Sequence, residues 1–122
     1  IDFNVDYTKE QIAFIMVSGY DSELIDIINT FYDDNNKNIK IFVINTSDKD
    51  NEKIADELNP PLASIMNKIP KFLDSGELGN YPSVLFVQDS IITGIYSNFD
   101  TIDNLNSAKE LFLGTGSIAI TK

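Results

Sequence analysis

Two apolar runs of strand length, separated by one amphipathic stretch, constrain this chain more than any other feature. Gln11-Ile12-Ala13-Phe14-Ile15-Met16-Val17, closed by Ser18-Gly19, and Ile39-Lys40-Ile41-Phe42-Val43-Ile44-Asn45 are nearly continuous in hydrophobic residues. Such a run reads as a strand buried on both faces. Between them Leu24, Ile27, Ile28 and Phe31 fall on one stripe of a helix. Asp21 or Ser22 can cap that helix, Glu23 suits the positive end of its dipole, and Asp33-Asp34-Asn35-Asn36 is a polar stop. Strand, helix and strand in this order form a crossover unit with parallel strands. A sheet buried on both faces needs helices on both, so the chain is expected to be α/β.

The rest of the chain adds elements around that unit. Residues 48–59 read as a short helix with Ile54 and Leu58 inward and Asp48 or Asp50 as its cap. Pro60-Pro61 is expected to break it, and residues 62–72 form a second helical candidate bent at Pro70. Asp74-Ser75-Gly76 makes a turn. In Asn80-Tyr81-Pro82-Ser83-Val84-Leu85-Phe86-Val87 a proline stands at the mouth of a buried strand, the position a residue without an N–H can take. After Asp89-Ser90 the chain resumes as Ile91-Ile92-Thr93-Gly94-Ile95, the second strand of a hairpin. Ile102, Leu105, Ala108, Leu111 and Phe112 outline a final amphipathic helix stopped at Gly114, and Gly114-Thr115-Gly116 follows a helix instead of leading into one, so it is no phosphate loop. Residues 1–122 are read as one domain, with 1–10 as an irregular or edge-strand lead-in and 113–122 as a C-terminal extension whose apolar residues 117–121 form an added strand or ordered segment.

At 122 residues the chain can bury roughly two-thirds of its unfolded surface in a single core. It contains no cysteine, histidine, tryptophan or arginine. Disulfide and thiolate chemistry, zinc-thiolate sites and serine–histidine or cysteine–histidine hydrolysis are therefore excluded within it. Catalysis would fall to carboxylates, Lys, Tyr, Ser or Thr, and Asp21 with Glu23 is the one carboxylate pair at a strand-to-helix junction. Acidic residues at a helix start are also ordinary caps. Asp48-Lys49-Asp50-Asn51-Glu52 lacks the glycine and final glutamate of a calcium loop, with Lys53 and Asn59 in those places, and Asp33-Asp34 reads as a solvated helix end. No metal or cofactor is expected. A formal net charge of −10 disfavours nucleic acid and anionic membranes as partners. The sequence begins at Ile1, so a removed leader, anchor or tag, or a preceding segment, is expected to hold the targeting information. The Asn-, Ile- and Lys-rich composition suits an AT-rich bacterial genome. Cysteine-free Gram-positive surface proteins are common, so an extracytoplasmic setting is favoured with a cytoplasmic one left open.

In order of elements, residues 11–112 resemble the thioredoxin-like fold: a parallel crossover, an intervening helix, a proline-led antiparallel hairpin and a closing helix, hence a central mixed sheet with helices on both faces. Tyr81-Pro82-Ser83 looks like that family's cis-proline site, and the strand ending at Ser18-Gly19 looks like the one that delivers its redox motif. Tyr20-Asp21-Ser22-Glu23 then occupies the place of Cys-x-x-Cys, so the resemblance implies a member without redox activity. Its narrower flavour is that of divergent accessory proteins of Gram-positive secretion, bacteriocin export or conjugation.

The resemblance implies a peptide groove at Tyr81 and Pro82, with Tyr20, Asp21 and Ser22 opposite and Tyr96, Ser97 and Asn98 nearby. Exposed tyrosines there would make a binding ledge. The competing reading is that Pro82 only shapes the turn while Tyr20 and Tyr81 pack together. Three functions follow in order: a non-catalytic module binding a protein or peptide within a secretion or surface assembly; a scaffold or homo-oligomerisation domain using residues 117–121 or a hairpin edge; and an enzyme based on Asp21 or Glu23.

Overall fold

The computed structural model describes residues 11–47, 49–67, 81–89 and 91–113. The expectations for residues 1–10, for Asp48, for the turn at residues 74–76 and for residues 114–122 lie outside them.

Both apolar runs are strands, β1 (Gln11–Val17) and β2 (Ile39–Asn45), paired in parallel with Phe14 opposite Phe42. β3 (Ser83–Gln88) lies antiparallel on the other side of β1, and β4 (Ile91–Ser97) antiparallel to β3, giving the order β2-β1-β3-β4. Successive residues of the inner strands point to opposite faces, and both faces are dry. On one side Ala13, Ile15, Val17, Ile41, Val43, Val84 and Phe86 form the larger core. On the other, Ile12, Phe14, Met16, Phe42, Ile44, Leu85 and Val87 form a second core, against which Ile65 and Tyr81 pack. Phe14 and Phe42 stack there with ring centres 5.2 Å apart.

The crossover helix α1 (Ser22–Asn35) buries Leu24, Ile25, Ile28 and Phe31 in the larger core. Full burial of a side chain such as Ile28 or Phe31 stabilises by about 1.5–3 kcal/mol. Asp21 is its cap: Oδ1 accepts from the backbone N–H groups of Glu23 (3.0 Å) and Leu24 (3.3 Å). The expected polar stop holds a surprise. Asn35 is buried, and its amide donates to the Phe31 carbonyl and to Asn106 Oδ1.

Expectation and structure part company between β2 and β3. Helix α2 is Asn51–Glu57, shorter than residues 48–59, and Asp50 holds the cap position in a left-handed conformation (φ 68°) without a side-chain cap bond. Pro60 and Pro61 do not simply end a helix; they begin α3 (Pro60–Ser64). A proline in the first helical turn gives up an N–H that has no partner in the helix anyway. The remainder of the 62–72 helical candidate beyond Asn67 lies outside the described residues. Asn29 of α1 stitches this region down, donating to the Glu57 carbonyl and accepting from the Asn59 N–H.

The last helix, α4 (Ile102–Leu113), packs on the larger core through Leu105, Ala108 and Leu113. Leu111, expected on its inner stripe, is 76% exposed, and Leu113, expected to open the C-terminal extension, is buried instead. Phe112 is half-buried over Gly94, where a Cβ would overlap its ring. The register of β3 and β4 slips beside that glycine, leaving Thr93 unpaired, and the Thr93 hydroxyl donates to the Phe86 carbonyl. No described helix is long and apolar enough to cross a membrane.

Candidate functional site

Three connections converge at one end of the sheet: the turn from β1 into α1, the entrance of β3, and the link from β4 to α4. Gly19 takes φ +89°, a left-handed conformation that suits a residue without Cβ. Its N–H donates to Asn45 Oδ1 (2.9 Å). Across from the turn, the Tyr81–Pro82 peptide bond is cis. The Pro82 carbonyl accepts from the Asn98 N–H (2.6 Å), and Asn98 is left-handed at φ 59°. Thr101 then receives α4: its hydroxyl accepts from the Asn104 N–H (3.0 Å).

Two clefts open where these connections meet. One, of about 220 Å³, is lined by Ser18, Gly19, Tyr20, Asp21, Leu24, Tyr81 and Pro82. The other, of about 180 Å³, is lined by Asp21, Glu23, Leu24, Ile27, Pro82, Phe99 and Asp100. Asp21, Leu24 and Pro82 belong to both, so the clefts adjoin across the proline.

Of the eight residues expected here, Tyr20, Asp21, Tyr81 and Pro82 line the clefts. Ser22 is the exposed first residue of α1 beside them. Tyr96 lines neither cleft and packs against the larger core. Ser97 and Asn98 are not among the described lining residues of either cleft, Ser97 being joined to Ser83 through their hydroxyls and Asn98 to Pro82 through the backbone. The three tyrosines are half-buried, not the exposed ledge expected. Tyr20 packs on the larger core and Tyr81 on the smaller.

Tyr20 is also tied to α2. Its hydroxyl donates to Glu57 Oε1 (2.7 Å), its N–H to Asp50 Oδ2 (3.4 Å), and Lys53 Nζ lies 4.3 Å from its ring centre. The hydrogen bond to Glu57 raises its pKa above the ordinary 10.0, with partial desolvation and the charges of Glu57 and Asp26 adding to the rise. The carboxylate of Asp50, which does not cap α2, thus faces the β1–α1 turn instead.

Beneath the turn lies a feature that pattern reading misses, a knot of three asparagines. Asn45 Oδ1 accepts from Gly19 N–H and Ser47 N–H, while its Nδ2 donates to the Lys49 carbonyl (2.8 Å) and to Asn51 Oδ1 (2.9 Å). Asn67 Oδ1 accepts from Asn45 N–H (2.6 Å), and its Nδ2 donates to Asn51 Oδ1 (3.0 Å). Glu23, Ile27, Phe99 and Asp100 complete the described lining of the second cleft. The Phe99-Asp100 pair, separated from the end of β4 by Asn98 alone, was the available sign.

Chemically, the described lining offers the carboxylates of Asp21, Glu23 and Asp100 and the phenols of Tyr20 and Tyr81 around apolar Leu24, Ile27, Pro82 and Phe99. Among the described residues no group of three or more carboxylates is close enough to hold a metal ion.

Neither a family model nor a curated protein matches the sequence. Solved structures do match the fold. A thioredoxin-like protein determined in solution in its oxidized form superposes with a TM-score of 0.61 at 12% identity, over 86% of this chain and 78% of that one. The thioredoxin domain of a thiol-disulfide oxidoreductase from Bacteroides vulgatus superposes with a TM-score of 0.54 at 12% identity, over 87% and 81%. The fold is therefore thioredoxin-like: α/β, with a mixed four-stranded sheet. At the place where the resemblance puts two cysteines, this chain carries Tyr20-Asp21-Ser22-Glu23.

Proposed function

We propose that this chain is a non-catalytic thioredoxin-like module that binds a protein or peptide partner across Pro82, as one component of a bacterial secretion or surface assembly. The observation that carries the reading is the pair of clefts adjoining at Asp21, Leu24 and Pro82, part apolar and part polar, at the junction of three connections. The chain has no cysteine for thiol exchange and no histidine for neutral-pH base catalysis. Asp21, the carboxylate best placed for chemistry, is engaged as a helix cap. A net charge of −10 supports a protein partner over nucleic acid or an anionic membrane.

The test is a photo-reactive phenylalanine analogue placed at Ser22, beside the clefts, and separately at Glu110, exposed on α4. Irradiated in its native cells, the Ser22 form should yield a protein adduct absent from the Glu110 form. Equal adducts, or adducts from position 110 alone, would overturn the reading.

A second reading, a scaffold or homo-oligomerisation domain, draws support from β4. That strand lies at one end of the described sheet and exposes Ile91, Ile92 and Ile95. Exposed apolar edges invite strand pairing. Sedimentation separates the two: a concentration-dependent dimer lost on Ile92→Lys would favour the scaffold, and a monomer at high concentration would count against it.

A further inference from the structure

We propose that the smaller cleft seats a lysine or arginine side chain of the bound peptide, which makes the partner a basic extended segment. This rests on the groove reading above and adds the chemistry of its occupant. At about 180 Å³ the cleft is smaller than the roughly 300 Å³ at which pockets for drug-sized ligands begin, so it suits one long side chain. Its inner wall is apolar, from buried Leu24 and Phe99 and half-buried Ile27. Its rim is Asp21, Glu23 and Asp100, all exposed. An apolar stem ending in a cation matches a wall and rim of this kind, because lysine and arginine lay their methylenes on apolar surface while the charged head stays in water.

Among the described residues the rim carboxylates meet neutral donors and no cation: Asp21 accepts from the Glu23 and Leu24 N–H groups and Asp100 from Asn104 Nδ2. Among the described residues that line it, none is cationic. Among the described residues the one salt bridge is Lys109–Glu110 on α4, so none of the three carboxylates is paired there. Lys53 is held over the ring of Tyr20, which lines the neighbouring cleft, and itself belongs to the described lining of neither.

An anionic occupant is the natural alternative, since a helix N-terminus attracts negative charge. That place is already filled. Asp21 Oδ1 accepts the N–H groups of both Glu23 and Leu24, so an incoming carboxylate would find three carboxylates in place of free donors.

The test uses an acetylated, amidated Ala/Ser/Val host peptide with one central residue, made in Lys, Arg, norleucine and Glu forms and titrated into the isotope-labelled chain. The Lys and Arg forms should shift the amide resonances of Glu23, Leu24, Ile27, Phe99 and Asp100 and bind about tenfold more tightly than the Glu form, the sum of a few exposed charge pairs. The norleucine form should fall between. In the Glu23→Gln/Asp100→Asn chain, which keeps Asp21 as the one rim carboxylate, most of the Lys preference over Glu should be lost. The Asp100→Asn change keeps a side-chain oxygen to accept from Asn104 Nδ2, so α4 retains that contact. If norleucine or Glu binds the cleft as tightly as Lys, or the Lys preference is undiminished by the double substitution, the charged seat is wrong and the groove stands. Should the Lys form shift acidic residues over the whole surface without favouring the cleft, the seat is equally wrong. If no form perturbs residues of either cleft, the groove reading falls with it.

Discussion

Asn45 is buried at the end of β2 with both lone pairs and both N–H groups of its amide in use. Through it the β1–α1 turn, the end of β2 and the start of α2 are one hydrogen-bonded unit. Asn45→Ala should leave the Gly19 and Ser47 N–H groups without that acceptor and cost about 2 kcal/mol in urea unfolding. The amide resonances of Gly19 and Tyr20 should broaden or move with it, and a variant as stable as the parent with an unmoved turn would refute the role. Tyr20, in the same turn, offers a pH signature. Its pKa is raised, so the folded chain holds the phenolic proton after the unfolded chain has released it. The favourable contribution is complete below the ordinary value of 10.0 and is lost as pH rises through the folded value. An ultraviolet titration should contain a late tyrosine transition that Tyr20→Phe removes, and Glu57→Gln should move that transition to lower pH. Tyr20 was placed at the groove by the sequence, but neither its tie to Glu57 nor the role of Asn45 was legible there. Lone polar residues such as Asn45, Asn51 and Asn67 have no period, and only folding shows that they converge.

Gly94 and Phe112 tie the hairpin to α4. Phe112 covers the glycine, with the Phe86 ring centre 5.9 Å away from its own. Gly94→Ala should destabilise by about 1–3 kcal/mol, the usual cost of overpacking, and Phe112→Ala in the same chain should recover part of it. Additive losses in a thermal or urea cycle would contradict that contact. Elements of this kind were legible where burial imposes a period. β1, β2, β3 and α1 have their apolar residues set by the two dry faces of the sheet, and Asp21 marked its own helix start. Around α2 and α3 the pattern is too short for a period to decide. Pro60-Pro61 can stop one helix or begin another, and only Asn29, gripping the link from α1, settles which. On α4, Leu111 and Leu113 compete for the inner face, and Leu113 occupies it.

The whole chain carries a net charge of −10, and self-repulsion of that size acts against any compact state. Raising ionic strength from about 0.01 M to about 0.15 M shortens the screening length from roughly 30 Å to roughly 8 Å. Tm should rise over that range while binding of the Lys host peptide weakens; a falling Tm would contradict this. At this scale the order of elements made the fold legible without any family sequence signal, while the clefts were legible only in part. Pro82, Tyr20, Asp21 and Tyr81 could be placed by their position beside strand ends, whereas Phe99 and Asp100 enter through the path of a loop. The reading that unites these scales, a binding groove across Pro82, is tested most directly by intermolecular nuclear Overhauser contacts between the labelled chain and the Lys host peptide. Contacts from the peptide to the side chains of Leu24, Ile27, Pro82 and Phe99 are expected. Contacts confined to Ile91, Ile92, Ile95 and Leu111 would contradict it and move the binding surface to the sheet edge and the outer face of α4.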